Sequence, residues 1–370
     1  MKYLILTEPD DFHALMTKLA LERLGHQVRL LFTADQPTKQ KNSIFITNDA
    51  YQWKMVDDYS SLEDNDYDVV WWRRARAPSV PKDKIHEKDY DFVRRENRAL
   101  YEAVTDNMAP DAWWINNKEA SIKAHSKIYQ LKHASKVGLQ IPVTLCSNNP
   151  QDIRYFLLQN EDEGVIYKPF FSNFWLNKNH TKVSYTSKIT FLELPSNKLL
   201  QYAPGLYQKE IKKKYELRVT CFGDYLIAVK LNSQAHAESK VDWRAISHLD
   251  LQVELYQLPL DIENKIKAFM KNMGLVFGCL DFIVSEDGEY IFLEVNEQGQ
   301  FLWIEDANPQ LKMLDVFVQF LLSRSTDFQW HPKETNFSLS DFHEEAEELY
   351  KIHQQRHVNL NILTTINFKE

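Results

Sequence analysis

Two carboxylates and a carboxamide recur at strand spacing in one short segment, and that pattern carries the clearest chemistry in the sequence. Between Gly278 and Gln298, two apolar runs flank Asp287-Gly288, a dipeptide that favours a two-residue type I′ hairpin turn. With those two residues as the turn, Glu286 faces Glu289, Ile283 faces Phe292, Asp281 faces Glu294 and Cys279 faces Asn296. Strand side chains alternate, so Asp281, Glu294 and Asn296 share one face. Leu280, Phe282, Val284, Ile291, Leu293 and Val295 make the other face wholly apolar. Like charges opposed across a ladder destabilise it, so something must neutralise them. An oxygen-only donor set suits Mg²⁺, which is held by a few carboxylates together with substrate phosphates. Two other readings stand beside this one: acids that simply face water, and an acid pair sharing a proton.

Cations that could meet phosphates lie upstream. Lys168 ends the apolar run Gly164-Val165-Ile166-Tyr167-Lys168-Pro169, where a lysine acts as a point charge on phosphate or snorkels to solvent. Lys127 falls on a helix in Ser126-Lys127-Ile128-Tyr129-Gln130-Leu131 and by itself reads as a surface lysine. Gln208-Lys209-Glu210-Ile211 reads as a connecting strand; its backbone and Glu210 could accept the amino group of adenine, or it is a polar linker. Arg218 sits in Tyr215-Glu216-Leu217-Arg218-Val219-Thr220, the first arm of a hairpin turning at Gly223-Asp224, which pairs Arg218 with Val229 and Thr220 with Ile227. An Arg among β-branched residues needs an anionic partner, either a transferring phosphoryl group or a structural carboxylate. Trp71-Trp72-Arg73-Arg74-Ala75-Arg76 could receive an acidic peptide, or could form an Arg–Trp stack. Asp242-Trp243-Arg244 lies in a loop between β and α units, with Arg244 the candidate contact to a substrate carboxylate.

The elements that must position these residues divide the chain. Over residues 1–115, strand signals at Tyr3–Leu6, Gln27–Leu31 and Val69–Trp72 alternate with helix signals at Asp10–Leu24 and Asp89–Asn107, which predicts a parallel sheet. No glycine-rich loop follows the first strand, so a dinucleotide fold of the usual kind is disfavoured. Residues 116–210 read as a second unit, with a helix over Ala120–Val137, a strand at Ile141–Leu145 and a helix opened by Asn149-Pro150. Residues 211–330 hold two hairpins and the helices Asp261–Met273 and Met313–Leu322. The tail, 331–370, carries a charged helical pattern over Phe337–His357.

Composition bounds the function. The 370 residues are 44% hydrophobic and 26% charged, as in a globular protein, and 13% aromatic, which leaves room for stacking surfaces. A net charge of −8 argues against a general nucleic-acid binder. Cys146, Cys221 and Cys279 are isolated, which fits a reducing cytoplasm rather than a disulfide framework. No apolar run is long enough for a signal peptide or a membrane span.

Taken in order, Lys127, Lys168, Gln208–Ile211, Arg218, Asp281 and Glu294-Val295-Asn296 resemble the ATP-grasp ligases. Four stretches resemble more narrowly the ligases that mature microviridin-type peptides, the graspetides: Lys127 to Leu145, Tyr215 to Thr220, Ser233-Gln234 with Asp242-Trp243-Arg244, and Phe292 to Glu305. The resemblance covers roughly residues 1–325. It implies an α/β fold (α+β in the C-terminal part) with three domains: an N-terminal parallel-sheet domain, a central lid domain and a C-terminal antiparallel-sheet domain. It implies ATP and Mg²⁺ as cofactors, with Lys127 and Lys168 on the phosphates and Gln208, Glu210, Ile211 and Glu216 around the nucleoside. Arg218, Asp242 and Arg244 would be catalytic, and Asp281, Glu294 and Asn296 would bind the metal. The substrate implied is a precursor peptide with leader and core, whose Asp or Glu side chains are joined to Ser, Thr or Lys. A ligase acting on free amino acids or small metabolites, and a non-catalytic binding module, are the competing readings. Oligomeric state is left open, a homodimer being one arrangement. Three departures stand out: Phe170–Trp175 lacks the glycines of many lids, Glu297 replaces the usual proline after the metal-binding Asn, and the tail after Trp330 has no counterpart.

Overall fold

The computed structural model describes residues 1–360 apart from Asp64, 172–173, 178–179, 184–185, 234–242 and 244–250, with backbone alone for 174–177 and 180–183. The chain forms two compact units, one from Met1–Glu119 with Lys312–Glu370 and the other from Ala120–Leu311.

The first unit is built on β1 (Lys2–Thr7), whose five residues after Lys2 are all buried. Helix α1 (Phe12–Arg23) returns the chain to β2 (Gln27–Phe32), parallel to β1. An antiparallel sheet that the sequence reading missed follows, made of β3 (Gln40–Ile46), β4 (Tyr51–Asp57) and β5 (Ser61–Leu62). Strand β6 (Val69–Trp72), helix α2 (Glu87–Asn107) and β7 (Trp113–Ile115) complete a parallel sheet of order β2-β1-β6-β7, as the alternating pattern predicts. On one face Leu4, Leu6, Val70 and Trp72 pack with Trp53, Met55, Val104 and Met108.

The second unit starts within α3 (Lys118–Ala124) and continues into α4 (Lys127–Lys136), not the single helix expected over Ala120–Val137. The break has a local cause: Ser126 adopts an extended backbone and its hydroxyl accepts the Tyr129 N–H, a helix N-cap. Next come β8 (Thr144–Ser147), α5 (Pro150–Gln159, capped by Asn149), β9 (Val165–Lys168), the β10 (Phe174–Asn177)–β11 (His180–Val183) hairpin and β12 (Ser187–Ile189). A short helix, α6 (Asn197–Tyr202), leads to β13 (Gly205–Lys209), giving a sheet of order β12-β9-β13-β8. A second sheet has the order β16-β15-β14-β17-β18. It comprises β14 (Lys213–Phe222), β15 (Tyr225–Leu231), β16 (Val253–Tyr256), β17 (Phe277–Ser285) and β18 (Tyr290–Asn296), with α7 (Leu260–Met273) before β17 and α8 (Trp303–Ala307) after β18. One face of this sheet, Leu217, Val219, Leu280, Phe282, Phe292 and Val295, packs on Ile262, Ile266 and Phe269 of α7 and Leu131 and Ala134 of α4. The other face carries Arg218, Asp281 and Glu294.

The chain then rejoins the first unit through α9 (Met313–Ser323), whose Phe317 ring lies 4.6 Å from Trp71. Asp315, fully buried on α9, accepts from Trp330 Nε1 (2.8 Å), the Phe337 N–H (2.9 Å), Gln319 and Thr335, and so ties the tail down. Its last helix, α10 (His343–Arg356), packs on α1, with Tyr350 stacked on Phe12 and Arg23 bonded to Glu345 at 2.6 Å. It is shorter than the expected Phe337–His357. Among the described residues no helix is long and apolar enough to cross a membrane.

Candidate active site

The candidate residues meet because three strands are in register. The Arg218 arm turns at Gly223-Asp224 and pairs Arg218 with Val229 and Thr220 with Ile227, as expected. On its other side β14 pairs with β17, bringing Arg218 opposite Asp281. Strand β18 pairs Asp281 with Glu294 and Cys279 with Asn296, also as expected, although the turn itself differs. It is a three-residue connection, Glu286 to Gly288, closed by Ser285 N–H to Glu289 C=O at 3.0 Å, with Gly288 at φ +84°. The inner pairs therefore shift by one, Phe282 facing Phe292 and Ile283 facing Ile291, and a bulge at Leu293 restores the outer register. The expected faces change accordingly. Phe292 enters the core, while Leu293 turns to the cleft beside Glu294.

The opposed carboxylates carry their own counter-charges, so a metal is not needed to neutralise them. Arg218 Nη1 donates to Asp281 Oδ1 at 2.9 Å and Nη2 to the Gln300 carbonyl at 3.0 Å. Burial opposes the Arg218 charge, but Asp281, Cys279 and Glu294 more than offset it and raise the guanidinium's pKa. Lys127 bonds Glu294, and it can do so because the α3–α4 break makes it the first residue of α4.

A cleft runs from these carboxylates to the β12-β9-β13-β8 sheet. Its lining includes Lys168, Gln208, Glu210, Ile211, Glu216, Asp281 and Glu294, seven of the candidates. Gln208 is buried beside β8, its Nε2 donating to Thr144 Oγ1 at 2.9 Å, and Glu210 pairs with Lys188 at 2.6 Å. Sequence reasoning missed Lys213. A register shift between Lys213 and Tyr215 accompanies a Lys213 side chain only 6% exposed, bonded to Glu216 Oε1 at 2.7 Å. Burial pushes the Glu216 carboxyl above its ordinary range, and Lys213 opposes the push. Nothing in the local sequence marks Lys213 from Lys212 and Lys214; only the irregular register does.

Asn296 ends β18 and is exposed. With Asp281 and Glu294 it makes an all-oxygen donor set of the kind Mg²⁺ prefers. Among the described residues no group of three His, Cys, Asp or Glu side chains is placed to hold a metal, so the amide would have to complete the set. Asp242 and Arg244 lie outside the described residues; Trp243 between them lines the cleft and stacks on Trp303 at 5.0 Å. In the other unit Arg73 is spent on structure, buried against Asp11 (3.0 Å) and over Trp71, and Arg76 grips Glu8 through two bonds.

No protein-family model and no curated protein matches the chain. Solved structures do. A RiPP-associated ATP-grasp ligase of Chryseobacterium gregarium, in complex with ADP and a leader and core peptide, superposes with a TM-score of 0.79 at 26% identity, over 89% of this chain and 99% of its own. The macrocyclase MdnC of Microcystis aeruginosa, bound with precursor peptide MdnA, gives 0.76 at 27% identity, over 87% of this chain and 100% of its own. The macrocyclase MdnB of the same organism gives 0.72 at 27%, over 87% and 99%. The chain is similar to the ATP-grasp ligases. The likeness extends to the peptide-maturing members, and the chain has the mixed α/β fold of these neighbours, with one parallel and several antiparallel sheets among the described residues.

Proposed function

We propose that this ligase uses ATP and Mg²⁺ to activate Asp or Glu side chains of a ribosomal precursor peptide and joins them to Ser, Thr or Lys side chains, closing macrocyclic esters or amides. It would work in the cytoplasm, with leader and core of the peptide as its partner. The observation that carries the reading is the Arg218–Asp281–Glu294–Lys127 row at one end of a cleft whose other lining includes Lys168, Gln208, Glu210 and Ile211. That is an arrangement for a triphosphate laid along the cleft, and the relatives of similar shape were solved with ADP or a precursor peptide.

In this reading Gln208, Glu210 and Ile211 face the base, Glu216 the ribose side, and Lys127 and Lys168 the phosphates. A peptide carboxylate oxygen attacks the γ-phosphorus and ADP leaves, giving an acyl phosphate. A hydroxyl or amine then attacks the acyl carbon, phosphate leaves, and the nucleophile's proton is released. Arg218 stabilises charge on the transferring group, and its raised pKa keeps it charged throughout the working range. Asp281, Glu294 and Asn296 would hold Mg²⁺, which supplies further charge neutralisation on the phosphates when bound. Lys127 exchanges Glu294 for a phosphate oxygen, leaving Glu294 available. Asp242 and Arg244 would orient the carboxylate to be activated. Hydroxylamine tests the chemistry: added during turnover, it should trap the acyl phosphate as a hydroxamate on an Asp or Glu of the peptide. Turnover with no hydroxamate on the peptide, under conditions that trap a control acyl phosphate, would overturn the reading.

A further inference from the structure

Strand β18 is the edge of its sheet; on its outer side the Phe292 N–H donates to the Gln140 carbonyl at 2.8 Å, and beyond that a helix side chain serves Val295. The Val295 N–H donates to Gln130 Oε1 at 2.8 Å, and the Val295 carbonyl accepts from Gln130 Nε2 at 2.9 Å. The same Nε2 donates to the Ala124 carbonyl at 2.6 Å, across the α3–α4 break. Gln130 is only 4% exposed, so its amide pairs with the strand as a strand residue would, but from α4. Two ties flank it. Lys127, one turn earlier, bonds Glu294, and His125 Nε2 lies 2.7 Å from Glu297 Oε1, a carboxylate 6% exposed. Glu294, Val295 and Glu297 are thus each held by a residue between 125 and 130.

Gln130 does not line the cleft, and its neighbours Leu131 and Ala134 on α4 pack in an apolar core where an aliphatic residue would fit the pattern. What the amide adds is register. A strand slipped by one residue turns its side chains to the other face, and a helix shifted by a fraction of a turn aims its first residue elsewhere. We propose that Gln130 is a positioning residue for the phosphate end of the site: it locks α4 to β18 so that Lys127 reaches Glu294 and, by turning its side chain alone, a nucleotide phosphate. This rests on the reading of Lys127 as a phosphate ligand.

The test is a double-mutant cycle in the full-length ligase with Mg-ATP, read as ATP affinity by titration and as kcat and KM for ADP release. Gln130→Met keeps the shape and loses all three bonds; kcat/KM for ATP should fall about 10- to 100-fold, mainly through KM, the scale of a misplaced contact. Lys127→Met should fall at least as far. Combined, the two should fall no further than Lys127→Met alone, because nothing is left to position. Gln130→Leu, matching its α4 neighbour Leu131, also loses all three bonds without burying a charge and should weaken ATP to the same extent, and it serves where the Met variant does not fold. Independent, multiplying losses would overturn the proposal, as would wild-type ATP affinity in folded Gln130→Met or Gln130→Leu, or in Lys127→Met. ATP titration needs no peptide, so absence of a ring-closed product would count against the peptide reading and leave this coupling to stand or fall on its own.

Discussion

Arg218 and Asp281 face each other on neighbouring strands, Nη1 2.9 Å from Oδ1, with the guanidinium 5% and the carboxylate 13% exposed. The pair is both structural and chemical, and the two roles separate by substitution. Arg218→Ala should lower turnover by about 10²-fold or more, the scale for losing a preorganised charge, with ATP affinity less affected. Arg218→Lys should recover little, since lysine cannot serve Asp281 and the Gln300 carbonyl together. A variant that loses affinity alone would make Arg218 a binding residue.

The two carboxylates should behave differently. Asp281→Asn and Glu294→Gln are both expected to abolish ATP turnover. Asp281→Asn also leaves a buried guanidinium without its counter-ion and should destabilise the fold by about 3 kcal/mol in urea unfolding. Glu294→Gln breaks a partly exposed pair with Lys127 and should change stability by less than about 1 kcal/mol. Equal stability losses would show that the counter-charges are not distributed as described.

The tail makes the first unit acid-sensitive. Burial, then the nearby His357, lowers the His353 pKa from 6.5 to about 4, and neither ring nitrogen has a partner among the described residues. The unfolded chain takes up that proton first, so the stability it contributes is complete above pH 6.5 and is lost as pH falls towards 4. His353 is partly solvated, so the loss should be on the order of 1 kcal/mol. Thermal unfolding from pH 7 to pH 4.5 should show a steeper decline for wild type than for His353→Phe. Parallel curves would count against it.

Asp315 anchors the same tail from within α9. Asp315→Ala strands the donors of Trp330, Thr335 and Phe337 and should destabilise by on the order of 3 kcal/mol. Limited proteolysis should then cut within 331–342, a segment expected to resist in wild type. Unchanged protection would mean that α10 alone holds the tail.

Much of this was legible in the sequence because it depended on period and turn chemistry. Val69–Trp72 reads as a buried strand from its apolar run, and Gly223-Asp224 sets the Arg218 pairing without further information. Asp287-Gly288 gave the right partner for Asp281 with the wrong turn, because a longer connection and the Leu293 bulge cancel at Glu294. A bulge has no local sequence mark, so the exchange of Phe292 and Leu293 between faces could not be read. The counter-ions were hidden for another reason: Lys127 and Glu294 are 167 positions apart, and nothing local joins them. The α3–α4 break was available in Ser126, a good N-cap that a continuous helical period obscured.

The most direct test of peptide ligation is the mass of a precursor peptide, one encoded beside the ligase with a leader and an acidic core rich in Ser, Thr or Lys, after incubation with the enzyme, ATP and Mg²⁺. Each ring closure should remove the mass of one water and release one ADP, and Lys127→Met and Arg218→Ala should suppress both together. A peptide that gains the mass of an amino acid, or that stays unchanged while ADP accumulates, would contradict the account.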